Sequence, residues 1–254
     1  MIKVAALHRH PVKGLSPEVM AEAALEVEGY FPGDRLFAFE NGPSGFDPAD
    51  PQHQPKIKFL MLMRNEALAG LQTRFDDAAR VLSIARNGSL LAKGCVDEPS
   101  GRAALEAFFE REVPGALRGP VRLLIAPAGF RFMDSKRGFV SLLNLETIDA
   151  IGAALGVGAL DARRFRGNIH ITGLEAFAEN DLIGKTLMIG DVELEVLCRI
   201  DRCAATDVNP ATAQRDVTMV ASLERLYGHH DCGIYARIKK AGTIRPGLEM
   251  QVKD

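Results

Sequence analysis

The sequence predicts a mainly β protein of the α+β class, barrel-like and with a few peripheral helices, rather than an alternating βα fold. Three observations lead there. Short runs of β-branched and apolar residues recur between clusters of Gly, Pro, Asn and Asp, and long helical periodicity is missing from the first third. The few helical stretches come singly rather than between successive strands. A chain of 254 residues, 47% hydrophobic and 25% charged, can bury a substantial core as one large or two smaller domains.

In chain order, Ile2–Leu7, Ala23–Glu28 and Arg35–Glu40 read as strands bounded by Gly, Pro or Asp. The segment 41–55 packs Gly, Pro and Asp too densely to be anything but loop. VLSIA and SLLA, joined through Arg86, Asn87 and Gly88, make a hairpin, and 100–113 an amphipathic helix with Ser100 available as N-cap. PGALRGP, 114–120, has two prolines and two glycines and marks a domain break, dividing the chain into 1–118 and 119–254. Beyond it come a strand at 121–125, a helix at about 145–155 between Asn144 and Gly156, and a strand at 168–172. A hairpin follows at 186–197, turning at Gly190-Asp191, then a helix at 217–227 and two closing strands in CGIYARI and GTIRPGLEMQV.

Lysine plus arginine number 31 against 33 acids, so no net field exists to hold nucleic acid or an acidic membrane. The N-terminal apolar run ends at His8, too short for a signal sequence, and no stretch approaches a membrane span, which gives a soluble, cytoplasmic expectation. Cys95, Cys198, Cys203 and Cys232 are too few and scattered for a disulfide framework and are expected as reduced thiols.

Two constellations carry chemistry. In DRCAATDVNPATAQRD, 201–216, Cys203 follows Arg202 and an apolar strand and precedes an Asn-Pro turn, so it lies at a strand end, where a neighbouring guanidinium favours the thiolate. Cys198, Cys203, His229, His230 and Cys232 are types that suit zinc, but their spacing lacks the usual knuckle, and Cys198 reads as packing. The second constellation is basic: HPVKG, GDR and RRFRGN each put Lys or Arg beside Gly or Pro at a strand end, where amides and guanidinium forks converge on phosphate. P-loop, dinucleotide, serine-hydrolase elbow and HExxH signatures are absent from the sequence.

In order, HRHPVKGLSPE, GDRLFAF, RRFRGNIHITG, DRCAATDVNP and GTIRPG resemble the MOSC N-terminal domain followed by the MOSC domain. That family includes the C-terminal part of molybdenum cofactor sulfurase and the amidoxime reducing component. The resemblance implies a two-lobed β-barrel-like fold holding a molybdenum–molybdopterin cofactor, with Cys203 bonded to the metal. A thiolate is the soft ligand such a centre takes. By the same matching, Lys13, Gly14 and Arg35 face the cofactor phosphate, Arg166, Asn168 and Arg202 hold the phosphate or pterin edge, and Ser141 lines the site. Asp134 and Arg137 lie near it as substrate contacts or mere surface.

Three departures stand out. Gly14 replaces the family's usual serine; Asp201 puts a carboxylate beside an expected anion unless it pairs with an arginine such as Arg202; and the cysteines lack iron–sulfur spacing, so no such cluster is expected. The resemblance implies an oxidoreductase acting on small N-hydroxylated substrates, with electrons from an external ferredoxin- or cytochrome-like protein. The alternative is a carrier of cofactor or persulfide sulfur without turnover of its own. A pyridoxal phosphate-binding half is not expected in a chain this length.

Overall fold

The computed structural model describes residues 1–253, with fifteen strands and three α-helices. In chain order these are β1 (Ile2–Arg9), β2 (Glu18–Met20), β3 (Ala23–Leu25), β4 (Phe37–Asn41), β5 (Gln72–Asp76), β6 (Val81–Arg86), β7 (Ser89–Cys95), α1 (Pro99–Glu112), β8 (Val121–Ile125) and β9 (Val140–Asn144). Then come α2 (Leu145–Leu155), β10 (Ile169–Thr172), β11 (Thr186–Ile189), β12 (Val192–Asp201), α3 (Met219–Tyr227), β13 (Asp231–Lys240), β14 (Gly242–Ile244) and β15 (Glu249–Lys253).

Seven strands close into a barrel in the order β10, β9, β13, β12, β11, β15, β1 and back to β10, with β2 added beside β1. An odd ring cannot alternate direction throughout, and the one parallel contact of this ring is β9 on β10. The N-terminal strand closes it: Ile2 and Lys3 pair with β15, Lys3 to Leu7 with β10, and Leu7 to Arg9 with β2. Alternation supplies the inward face, so that Val4, Leu187, Ile189, Leu194, Val196, Ile234 and Ile238 share one core.

A second core collects Val12, Phe37, Phe39, Phe75, Leu82, Ile84, Leu105 and Phe109 between β4–β8, the β5–β6–β7 sheet and α1. Phe39 packs 4.2 Å from Phe109, and Phe37 meets Phe75 edge-on at 4.8 Å. The 118/119 division expected from the prolines falls inside this lobe, since β8 pairs with β4 along its full length. Residues 1–9 and 23–31, on the other hand, contribute Val4, Leu7, Leu25 and Phe31 to the barrel core.

Most expected elements are present. Helix α2 has Asn144 accepting from the Glu146 amide at 3.3 Å and ends on Gly156 in the left-handed region. Helix α1 starts one residue earlier than expected: Pro99 occupies its first turn, and Ser100 is not the cap. The closing run GTIRPGLEMQV is two strands, not one, because the Arg245–Leu248 turn breaks it and sends β14 to pair with β3. No described helix is long and apolar enough to cross a membrane.

Candidate functional site

Where β12, β13 and β9 end, beside the loops at 34–35 and 134–135, a cleft of about 350 Å³ opens. Arg35, Lys56, Arg164, Arg166, Arg199 and Arg202 line it against the carboxylates of Asp134 and Asp201, together with Ser141, Tyr235, Cys198 and Cys203. Six cations line it against two acids, and of the six Arg35, Arg164 and Arg199 also pair with Asp34, Asp216 and Asp231 outside the lining.

Cys203 stands two residues beyond β12, part-exposed, opening a short 3-10 turn over Ala204–Asp207. Its carbonyl accepts from the Thr206 amide at 3.0 Å and the Thr206 hydroxyl at 2.8 Å, which fixes the backbone and leaves the thiol to the cleft. Arg166 caps the preceding 3-10 turn, Ala162–Phe165, in the left-handed region. One of its nitrogens donates to the Leu15 carbonyl at 2.5 Å; the other, Nη2, is buried without a hydrogen-bond partner. Burial, and then the nearby charge of Arg35, lower its pKa to about 10. A buried guanidinium nitrogen left unmatched at a cleft wall is the donor an incoming anion would satisfy.

Arg35 pairs with Asp34 and donates to the Arg166 carbonyl at 3.3 Å, so of the four expected cations, Lys13, Arg35, Arg166 and Arg202, one holds the loop of another. Lys13 lies behind the cleft wall, 4% exposed, with Nζ donating to the Phe132 carbonyl at 3.0 Å and paired with Asp134. Burial pushes its pKa down. Crowding by protein opposes ionisation of Asp134, but Lys13, Arg35 and Arg166 hold its carboxyl well below the usual range. Arg137, by contrast, does not line the cleft.

Asn168 and Ser141 form a lock beneath the site. Asn168 Oδ1 accepts from the Ser141 amide at 3.1 Å and its hydroxyl at 2.8 Å, and Nδ2 donates to the His8 carbonyl at 3.2 Å. Ser141 reaches the cleft, while the fully buried Asn168 positions it from behind. Arg202 spends its guanidinium on the Cys232 carbonyl, through Nε at 2.7 Å, and on the Phe165 carbonyl at 2.7 Å, over the Phe165 ring. It therefore ties the Cys203 strand end to β13 and to the Arg166 turn.

Gly14 faces a neighbouring groove rather than the cleft. Its φ is +80°, and a Cβ there would sit 2.8 Å from the Leu60 carbonyl oxygen, so the expected loss of a serine hydroxyl follows from a backbone that has no room for one. Asp201 does not pair with Arg202; it pairs with His230 across the β12–β13 end and raises the imidazole's pKa.

Cys198 corrects the expectation of simple packing. The β12–β13 register shifts between Val196 and Cys198, and this bulge leaves Cys198 part-exposed on the cleft. Cys232 is buried, its thiol pushed up to about 12 by burial. Among the described residues no three His, Cys, Asp or Glu side chains converge as metal ligands, so the zinc grouping is not assembled. Arg164 and Tyr235 were not singled out from sequence, although both lie in noted stretches, RRFRGN and CGIYARI; Tyr235 arrives through pairing with Ser141 and Cys198.

No curated protein matches the chain. Among solved structures, it is similar to the YUAD protein from Bacillus subtilis, with a TM-score of 0.48 and 13% identity over 99% of this chain and 96% of that one. It is also similar to YiiM from Geobacillus stearothermophilus, with a TM-score of 0.38 and 16% identity over 52% of this chain and 67% of that one. The MOSC domain family model matches residues 130–251, a segment that holds β9 to β13 and every cleft residue except Arg35 and Lys56; that segment is what the chain shares with the MOSC domain.

Proposed function

We propose that the cleft holds a molybdenum–molybdopterin cofactor, with Cys203 as the protein ligand to the metal, and that the protein is an oxidoreductase acting on N-hydroxylated compounds. One observation carries this reading: a part-exposed thiol at the end of β12 opens into the same cleft as a buried arginine nitrogen with no partner. Soft thiolate and hard cation are the two ends that a metal on a phosphorylated pterin requires.

The residues divide the work. Arg166 offers Nη2 to the phosphate, Arg35 adds charge on the cleft wall and Lys13 adds charge from behind it. Ser141, held by Asn168, lines the cleft beside them, and Arg202 fixes the strand end that presents Cys203. When bound, the cofactor supplies a centre that changes oxidation state by two electrons, matching R–NH–OH + 2 e⁻ + 2 H⁺ → R–NH₂ + H₂O. The electrons come from a separate ferredoxin- or cytochrome-like protein.

The test is turnover of hydroxylamine with reduced methyl viologen, using protein made in a host competent for cofactor synthesis. Turnover that Cys203→Ala abolishes while the circular dichroism spectrum is retained is the expected result. Cofactor bound and released with no turnover would contradict the reductase and establish the carrier.

A further inference from the structure

Of the two acids on the cleft lining, Asp201 is taken up by His230, whereas Asp134 stands among the cations. Its carboxylate pairs with Lys13, and the charges of Arg35 and Arg166 act on it as well. We propose that Asp134 is an internal counter-ion seated where a phosphate group binds, and that an incoming phosphate takes its place on Lys13. The inference rests on the reading of the cleft as a phosphate-holding site and adds to it how that site is opened.

Three features point to this exchange. Lys13 is the fixed partner: its amide donates to the Phe37 carbonyl at 2.8 Å, Nζ donates to the Phe132 carbonyl at 3.0 Å, and the ammonium lies 5.6 Å from the centre of the Phe59 ring. A buried ammonium needs an anion beside it, so whatever displaces Asp134 must itself carry negative charge. Asp134 is the partner that can leave, because its side chain is 49% exposed and, among the described residues, no backbone hydrogen bond holds residue 134. The carboxylate also serves the seat only in part: with Asp134 on Lys13, Arg166 Nη2 is still buried without a hydrogen-bond partner. A carboxylate brings two oxygens and a phosphate monoester three terminal ones, so a phosphate can serve Lys13 and Arg166 together.

The exchange sets the affinity of the site. While the carboxylate holds the seat only a fraction of the molecules can accept phosphate, and a seat held about nine-tenths of the time weakens binding about tenfold. The chain beyond Asp134 can follow it outward, because its hydrogen bonds are local: the Gly138 amide donates to the Ser135 carbonyl at 3.1 Å and the Arg137 amide to the Ser135 hydroxyl at 3.1 Å. Lys136 and Arg137 are exposed on this turn.

The probe is inorganic phosphate at pH 8, titrated calorimetrically into the full chain made in a host that cannot synthesise the cofactor. Asp134→Asn keeps the size of the side chain and one oxygen for Lys13 but removes the charge. It should bind phosphate about tenfold or more tightly than the parent, and Arg166→Gln should lose the binding. Where Asp134→Asn does not fold, the parent decides: phosphate should speed tryptic cleavage after Lys136 and Arg137, and cleavage unchanged or slowed would count against the exchange. Equal or weaker binding by a folded Asp134→Asn would overturn the counter-ion, and phosphate bound by the parent but lost from Arg166→Gln would then leave the phosphate-site reading standing. Phosphate bound neither by the parent nor by a folded Asp134→Asn would sink that reading and the counter-ion with it.

Discussion

Arg166 and three histidines show how much polar chemistry is buried beneath the cleft. The rings of His8 and His170 lie 4.4 Å apart between centroids, tilted by 36°, and His10 sits beside Asp34 at 3.4 Å. His8, His10 and His170 are 9%, 1% and 5% exposed, and no metal grouping forms among them. Burial lowers His10 and His170 to about 3, with Arg166 adding to the shift at His10 and His8 adding at His170. The unfolded chain binds protons at these rings below about 6.5 while the folded chain does not, so stability is full above that pH and is lost as pH falls toward 3. Urea titrations from pH 7 to 4.5 should lose about 1.4 kcal/mol per histidine for each pH unit below 6.5, and His170→Phe should flatten the slope. A stability independent of pH over this range would contradict the buried, neutral assignment. The proximity of Cys203, Arg202 and Arg166 was legible through the family resemblance that their motifs carry in order. The partner of Asp201 was not legible, since His230 reaches it only through the β12–β13 register.

At the scale of elements, local signals written as caps and turns were readable and those written in tertiary contact were not. Asn144, Gly156 and the Gly190-Asp191 turn specify α2 and the β11–β12 hairpin by their own conformational preferences. The β12 bulge that turns Cys198 to the cleft depends on β13 beside it and leaves no mark in a single strand's pattern. Strand β9 carries no strand signal in the sequence because VSLLN is buried throughout and lacks the alternation that marks a half-exposed strand. Asn144 joins two of these levels: besides capping α2 it donates to the Leu174 and Glu175 carbonyls at 3.2 and 2.9 Å and to Glu179 at 3.0 Å. Asn144→Ala should cost about 2–3 kcal/mol in urea unfolding, because it removes a cap and strands buried acceptors together. A loss under about 0.5 kcal/mol would show that those acceptors find other partners.

At the scale of the molecule, the barrel core joins the two ends of the chain, whereas the second core draws only on residues 12–125. Strand β1 closes the barrel from the far end of the sequence, β3 pairs with β14, the loop after β1 carries Lys13 behind the cleft wall, and the loop before β4 carries Arg35 onto it. A break inferred from prolines marks a change of element, α1 to β8, and composition alone cannot distinguish that from a change of core. The consequence is functional: Lys13 and Arg35 precede the family-matched segment, yet they act on the same cleft as Arg166 and Cys203, which lie within it. The proposed cofactor would join the two lobes, its anion held by the arginines and its metal by the thiol. Molybdenum per chain, measured by mass spectrometry in protein made by a cofactor-competent host, tests it most directly. Near-stoichiometric metal in the parent, lowered about tenfold or more by Cys203→Ser and by Arg166→Gln, is the predicted result. No molybdenum in the parent, or metal unaffected by Cys203→Ser, would contradict it.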